Sequence, residues 1–254
     1  NNYQYLSFNF GPTLLKWLET SAPVVYERIL EGDRLSIEAN SGHGNAIAQA
    51  YNHTILPLAS PNDARLQIRW GLEDFRRRFE RDPEGMWLPE TAVNPVVLDL
   101  LIDEGMKFVI LSPWQASAVE GSSGMEEIPP DQPVDWRRPY RLDRPGGSIA
   151  ACFYNPVLAQ GISFEHYLRN ADMLAEHIRG FADPEDPNRC ISVATDGEIY
   201  GHHEPFGDMC FSALTGILED DKEIELTNYG KYLEMNPPKK GVRLKEGERS
   251  EERR

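Results

Sequence analysis

Two acidic side chains directly follow apolar runs that are typical of buried strands. Glu90 comes after the run GMWLP, and Asp196 comes within CISVATD, with Glu198 two residues further on. In parallel α/β folds the active site lies at the carboxyl ends of the strands, so acids at two strand ends would face one pocket. Glycoside hydrolysis uses such a pair, one group as nucleophile or base and the other as proton donor. The alternative for Glu90 is an interaction with the next helix N-terminus, and for Asp196 an Asx turn.

Histidines near these acids could bind either a metal ion or a sugar. The chain has six histidines, of which His166 and His177 fit the surface of an amphipathic helix. His202 and His203 could hold a divalent ion together with Asp196. Adjacent histidine side chains usually diverge, however, and neither His-x-His nor His-Glu-x-x-His spacing occurs. We therefore predict no metal and no other cofactor.

The non-metal alternative makes the polar and aromatic side chains contacts to a carbohydrate. Imidazoles donate hydrogen bonds to sugar hydroxyls, and indole faces pack against the C–H face of a pyranose. The predicted substrate contacts are His43, His53, Trp87, Trp114, Glu198, His202 and His203. Serine nucleophiles and phosphate binding lack support, because the sequence has no Gly-x-Ser-x-Gly elbow and no glycine-rich phosphate loop.

Alternating apolar strands and amphipathic helices must position these side chains. GMWL, KFVILS and SIAACFY read as strands, and NPVVLDLLIDEG reads as a helix with Asn94 as N-cap and Gly105 as terminator. We also predict a helix capped by Ser163, a strand at CISVAT, a helix at PFGDMCFSALTGILED and a possible strand at EIELT. This order indicates a parallel α/β sheet covered on both faces, and an open sheet and a closed barrel fit it equally.

Composition and charge restrict the partners. The net charge of -15 argues against nucleic acid or an anionic membrane surface, which need clustered positive charge, and a neutral substrate fits better. No apolar run is long enough to span a membrane, and the sequence does not begin with a secretory signal. Cys152, Cys190 and Cys210 are widely spaced in apolar surroundings, which favours reduced thiols and a cytoplasmic protein.

Four motifs in order resemble glycoside hydrolase family 57, in particular its uncharacterised amylase/mannosidase-like branch: SFNFGPTLLKWLE, GNAIAQAYNHTILPLAS, GMWLPETAV and ATDGEIYGHHEPFG. The resemblance implies an incomplete (β/α)7-type, TIM-like barrel and retaining cleavage or transfer of α-glycosidic bonds. It implies that Glu90 is the nucleophile and Asp196 the general acid/base. It also implies that His53 contacts substrate, and it places Trp87 in the motif that holds the nucleophile.

The sequence departs from the family pattern at both ends. The family's first motif, a histidine-containing stretch ending in Gln-Pro, is absent, so we interpret the chain as a fragment that lacks N-terminal strands. We predict a partial catalytic barrel over residues 1–235 and a charged, disordered tail over 236–254. Two other hypotheses stay open: a metal-dependent carbohydrate deacetylase and a non-catalytic carbohydrate-binding remnant. Glu198 is the rival of Asp196 as proton donor.

Overall fold

The computed structural model describes residues 1–183, 185–186 and 188–245. Its helices are α1 (Pro12–Ser21), α2 (Pro23–Ala39), α3 (Pro61–Phe79), α4 (Pro95–Asp103), α5 (Pro156–Phe164), α6 (Ala171–Arg179), α7 (Gly207–Glu219) and α8 (Tyr229–Met235). Its strands are β1 (Ala48–Gln49), β2 (Gly85–Trp87), β3 (Phe108–Leu111), β4 (Ala116–Gly121), β5 (Gly124–Glu127), β6 (Tyr140–Arg144), β7 (Gly147–Phe153) and β8 (Val242–Leu244).

Local sequence signals set the ends of several helices. Ser60 and Asn94 accept hydrogen bonds from the backbone N–H groups of Asp63 and Val97, and a proline occupies the first turn of both α3 and α4. Gly105 follows α4 with a φ of 79°, a left-handed conformation that glycine adopts without strain. The helix predicted after Asn94 is therefore confirmed, as are the strands predicted at β2, β3 and β7.

The central sheet has the strand order β1-β2-β3-β7-β6. The first four strands in this order are parallel neighbours, and β6 joins β7 in an antiparallel hairpin. The predicted parallel α/β architecture is confirmed. In the part of the chain that the structure describes, the sheet is open between β1 and β6, and no closed barrel forms.

Separate apolar clusters cover the two faces of this sheet. Helices α1 to α4 pack on one face, where Met86 and Val109 lie in the main core. The other face carries the Phe108 cluster, which consists of Ile47, Phe108, Ile110 and Ala150 and has Trp87 and Ala194 packed against it. Because successive side chains of a strand point to opposite faces, Met86 and Trp87 enter different clusters.

The C-terminal half differs from the prediction at two apolar runs. The described residues 190–196 and 223–227 form no strand, so the strand predicted at CISVAT is wrong and the possible strand at EIELT is absent. The CISVAT run is joined to its neighbours by single backbone bonds, such as Asn155 N–H to Ser192 O at 2.7 Å and Cys190 N–H to Arg137 O at 2.9 Å. Apolar periodicity reports burial, and burial occurs here without strand pairing.

The helix predicted to begin at Ser163 is interrupted. Ser163 belongs to the end of α5, and α6 begins after its own N-cap, Asn170. Between the two helices His166 has a left-handed φ of 61°, which a continuous helix does not allow. The predicted placement of His166 on a helix surface is therefore wrong, whereas His177 does lie on α6.

The charged C-terminal segment takes part in a second, antiparallel sheet of order β5-β4-β8. Val242 pairs with Val119, and the Ser117 hydroxyl donates to the Arg243 carbonyl at 3.1 Å. The segment predicted to be a disordered tail is thus structured in β8, and residues 246–254 lie outside the described residues. In the described ranges no helix has the length and apolar character needed to cross a membrane.

Candidate active site

The carboxyl ends of the parallel strands carry three of the predicted site residues. His53 follows β1, Glu90 follows β2 and Trp114 follows β3. Because neighbouring parallel strands end at the same edge of a sheet, these side chains belong to one edge. Asn155 follows β7 at this edge, where it is fully buried and caps α5.

Glu90 lies in a strained backbone turn. A 3₁₀ turn spans Pro89–Thr91, and both Glu90 and Thr91 have left-handed φ angles, of 56° and 52°. Such a conformation costs a non-glycine residue about 1–3 kcal/mol and is concentrated at functional sites. The Glu90 side chain is 56% exposed, so its carboxylate is open to a ligand at the sheet edge.

His53 is the side chain that meets this carboxylate. His53 Nε2 lies 3.7 Å from Glu90 Oε1, and His53 itself has a left-handed φ of 54°. Its imidazole is half exposed. The fold therefore brings together two predicted site residues that come from neighbouring strand ends.

Asp196 is connected to the same face of the sheet through the Phe108 cluster. Ala194, just before Asp196, packs against this cluster, and so does Trp87, just before Glu90. Asp196 precedes a 3₁₀ turn, Gly197–Ile199, and both Asp196 and Glu198 are exposed. Glu90 and Asp196 thus each follow, within three residues, a side chain that packs against the same Phe108 cluster.

His202 and His203 are exposed and contact each other. Their ring centroids are 4.8 Å apart in an edge-on arrangement. Both backbone N–H groups donate to the Glu198 carbonyl, at 3.1 and 2.9 Å. Among the described residues, no three His, Cys, Asp or Glu side chains come together in a group that could hold a metal ion.

The two predicted aromatic contacts are partly buried. Trp87 ends β2 and packs against the Phe108 cluster. Trp114 lies in the 3₁₀ turn Pro113–Gln115 directly after β3. Both residues therefore lie at the carboxyl ends of neighbouring strands, where the apolar face of a sugar ring could pack against an indole.

Residues 8–245 match the family model described as Glycosyl hydrolase family 57. The chain belongs to glycosyl hydrolase family 57. It is 26% identical over 196 residues to alpha-amylase 1 of Dictyoglomus thermophilum, which covers 77% of this chain and 26% of that protein. It is 21% identical over 243 residues to the 4-alpha-glucanotransferase of Thermococcus litoralis, which covers 92% of this chain and 33% of that protein.

A solved structure shows the same fold. The crystal structure of 4-alpha-glucanotransferase from Thermococcus litoralis superimposes with a TM-score of 0.73 at 21% sequence identity, over 96% of this chain and 36% of that chain. The family predicted from the four motifs is confirmed. This family 57 chain spans between about a quarter and a third of the length of the two curated relatives.

In this family 57 chain His43 lies at the opposite edge of the sheet from Glu90. Glu84 and Lys107 precede β2 and β3, whereas Glu90 follows β2. His43 Nδ1 is 2.8 Å from Glu84 Oε2, and its Nε2 is 3.2 Å from Glu234 Oε2. Lys107 Nζ also donates to Glu84, at 2.8 Å. The fold does not bring His43 to the Glu90 edge, and both of its ring nitrogens already have carboxylate partners.

These carboxylates change the titration of His43. Burial alone would lower the pKa of His43, but its hydrogen bonds to Glu84 and Glu234 outweigh burial and raise that pKa. Burial likewise opposes the charge on Glu84, but the bonds from Lys107 and His43 hold the pKa of Glu84 below its usual value. The cluster therefore stabilises the fold with His43 protonated.

His43→Gln is expected to destabilise the protein more at about pH 6 than at about pH 9. A raised pKa means that the contribution of His43 is complete below the usual histidine pKa of about 6.5 and is lost as pH rises through the folded-state pKa. In urea unfolding we expect a loss of about 1.5 kcal/mol at the lower pH. Glu234→Gln, which removes the more exposed partner, is the control for a smaller effect. Equal losses from His43→Gln at both pH values would contradict this assignment.

Glu204 fixes the segment that carries His202 and His203. Its carboxylate is buried and accepts hydrogen bonds from Arg169 Nε at 2.7 Å and from His166 Nδ1. These bonds lower the pKa of Glu204, and the bond from Arg169 has the larger effect. The burial of Glu204 could not be predicted from the sequence, because an acid inside a polar stretch carries no local signal of burial.

Proposed function

We propose that this chain carries the catalytic acids of a retaining glycosidase or transglycosidase that acts on the α-glycosidic bonds of an α-glucan. The observation that carries the proposal is the Glu90 turn, which presents an exposed carboxylate at a parallel strand end, within 3.7 Å of His53. Membership of family 57 supports the reaction type. The printed names of the amylase and glucanotransferase relatives support the substrate class.

In the first step Glu90 acts as nucleophile and Asp196 as acid. A Glu90 carboxylate oxygen attacks the anomeric carbon, and the bond from that carbon to the leaving oxygen breaks. Asp196 transfers its proton to the leaving oxygen, so the departing sugar leaves as a neutral alcohol. The product of this step is a glycosyl ester of Glu90 with inverted anomeric configuration.

In the second step Asp196 acts as base. Its carboxylate takes a proton from water or from an acceptor hydroxyl, whose oxygen attacks the anomeric carbon and displaces Glu90. Water gives hydrolysis and a sugar hydroxyl gives transfer. Because two inversions occur, the product retains the α configuration.

The other exposed polar groups are assigned to the sugar. His53 lies 3.7 Å from Glu90, and we propose that it binds a hydroxyl of the sugar ring at that carboxylate. Trp87 and Trp114 provide partly buried indoles at the same edge. Glu198, His202 and His203 extend from the segment that begins at Asp196, and we propose that they contact neighbouring sugar units.

The state of the cysteines supports a reducing compartment. Cys152, Cys190 and Cys210 are all unpaired. Burial raises the pKa of the Cys190 thiol to about 12, and it also raises the pKa of the Cys152 thiol. Buried, protonated thiols of this kind are unreactive structural residues, and we propose a cytoplasmic location for the protein.

The stereochemistry of a single product tests the proposed reaction. The full chain is incubated with a maltooligosaccharide, and the first anomeric product is followed by ¹H NMR before mutarotation. We expect the α-anomer, and an added glucose acceptor should give longer oligosaccharides if transfer competes with hydrolysis. A β-anomer as the first product would overturn retention.

Two further measurements distinguish the alternatives. Release of acetate from an acetylated oligosaccharide that stops on addition of a chelator would favour the metal-dependent deacetylase, whereas maltooligosaccharide cleavage at an unchanged rate with the chelator supports the two-carboxylate mechanism. Binding of the oligosaccharide without any cleavage would show a non-catalytic carbohydrate-binding protein.

A further inference from the structure

A buried glutamine joins the end of β3 to the strained turn that carries Glu90. Gln115 is 3% exposed and ends the 3₁₀ turn after β3. Its side-chain Nε2 donates to the Thr91 carbonyl at 2.8 Å, and its Oε1 accepts from the Ser112 N–H at 2.8 Å. One amide therefore bonds both to the turn after β2 and to the turn after β3.

These two hydrogen bonds determine which end of the amide faces Thr91. The Ser112 N–H is a donor and requires Oε1, so Nε2 must face the Thr91 carbonyl, which is an acceptor. The Gln115 backbone is held as well, since its carbonyl accepts from the Lys245 N–H at 2.8 Å. The donor presented to Thr91 is thus fixed in position and in orientation.

The turn that receives this bond needs external support. Glu90 and Thr91 are consecutive left-handed residues, and Thr91 is β-branched, which makes this conformation unfavourable without neighbours that impose it. The Thr91 N–H donates to Leu88 O at 2.8 Å inside the turn. The Thr91 carbonyl accepts its hydrogen bond from Gln115, a residue outside the turn. The left-handed conformation of Thr91 is the one in which this bond forms.

We propose that Gln115 is a positioning residue for Glu90. By holding the Thr91 carbonyl, it maintains the left-handed turn that aims the Glu90 carboxylate at the anomeric carbon. The inference rests on the proposed function of Glu90 as nucleophile. In the sequence this arrangement corresponds to the Ser-x-x-Gln pattern of a capping box at Ser112–Gln115.

Gln115→Met tests this role with a side chain of similar length and no donor. Because misplacing a reacting group by about 1 Å costs up to about 100-fold, we expect kcat to fall about 10- to 100-fold with KM changed less than about twofold. Ser117→Ala is the control. It removes a hydroxyl two residues further on, which bonds to the Arg243 carbonyl and to neither Thr91 nor Ser112, so kcat should stay within about twofold of wild type.

A double-mutant cycle separates positioning from general damage. In Glu90→Ala supplied with azide, the attacking group is no longer the Glu90 carboxylate. Adding Gln115→Met to that background should therefore change the azide-supported rate by less than about twofold. A loss as large as in the wild-type background would show that Gln115 does not act through Glu90 and would overturn the proposal.

Gln115→Leu is the second variant, for the case in which Gln115→Met does not fold. Its apolar side chain is smaller than that of glutamine and likewise offers no donor to the Thr91 carbonyl. A wild-type kcat in either folded variant would refute the positioning role. The proposed function fails separately, if Glu90→Ala without azide keeps wild-type activity.

Discussion

Glu90→Ala is expected to lower kcat for α-glucan cleavage by about 10³- to 10⁶-fold, because the substitution removes the carboxylate on which we propose that the glycosyl ester forms. The substitution removes an exposed side chain, and neighbouring residues still hold the backbone turn. The midpoint temperature of thermal unfolding should therefore change little. Substrate binding, measured by calorimetry with a maltooligosaccharide, should persist. The kcat measurement on a folded, sugar-binding variant therefore isolates the chemical step.

Rescue by azide identifies the role of Glu90. Azide can attack the anomeric carbon from the side that the carboxylate occupied, and a single displacement on an activated α-glycoside then gives the β-glycosyl azide. Glu80→Ala is the matched control, since Glu80 is also an exposed glutamate with a left-handed φ of 54° but lies at the end of α3. We expect wild-type kcat for Glu80→Ala. An α-glycosyl azide from Glu90→Ala, or a loss of less than tenfold, would contradict the nucleophile assignment.

Asp196→Ala is expected to have a large effect that depends on the leaving group. Loss of a general acid should lower kcat/KM on a maltooligosaccharide by about 10²- to 10⁴-fold. An aryl glycoside with an acidic phenol needs no proton to depart, so its first step should be much less affected, and the glycosyl ester should accumulate as a burst of phenol. Azide should accelerate the second step and give the α-glycosyl azide, since two inversions still occur.

Glu198→Gln decides which acid donates the proton. Glu198 is exposed and lies in the 3₁₀ turn that directly follows Asp196, so it is a close structural control for that position. We expect Glu198→Gln to change substrate affinity without a phenol burst and without azide rescue. If Glu198→Gln shows the burst and Asp196→Ala does not, the two assignments must be exchanged.

Local signals predicted those parts of the fold in which neighbouring residues determine the conformation. Asn94 and Gly105 delimit α4 because a cap and a left-handed terminator act within a few residues. The strand at β3 was predictable for a different reason. A strand that is buried on both faces of a sheet requires a continuous apolar sequence, and the run at β3 has one. The helix predicted from Ser163 was wrong because Asn170 provides a second cap and His166 takes a left-handed conformation.

Contacts between distant parts of the chain could not be predicted in this way. His43 and His53 occupy similar polar surroundings in the sequence, yet His53 lies 3.7 Å from Glu90 and His43 is bonded to Glu84 at the other edge. The difference arises because His43 precedes β1 and His53 follows it. The sequence does not reveal the position of β1, since this strand has only two residues, too few for a recognisable alternation of apolar and polar side chains.

Residue patterns predicted the candidate acids Glu90 and Asp196, the family and the parallel α/β class. They did not predict which side chains meet. In the folded chain His53 lies beside Glu90, His43 lies at the opposite edge of the sheet and Gln115 bonds to Thr91. These contacts depend on strand order and register, which are set by packing of the whole sheet, whereas residue patterns encode only local conformation and burial.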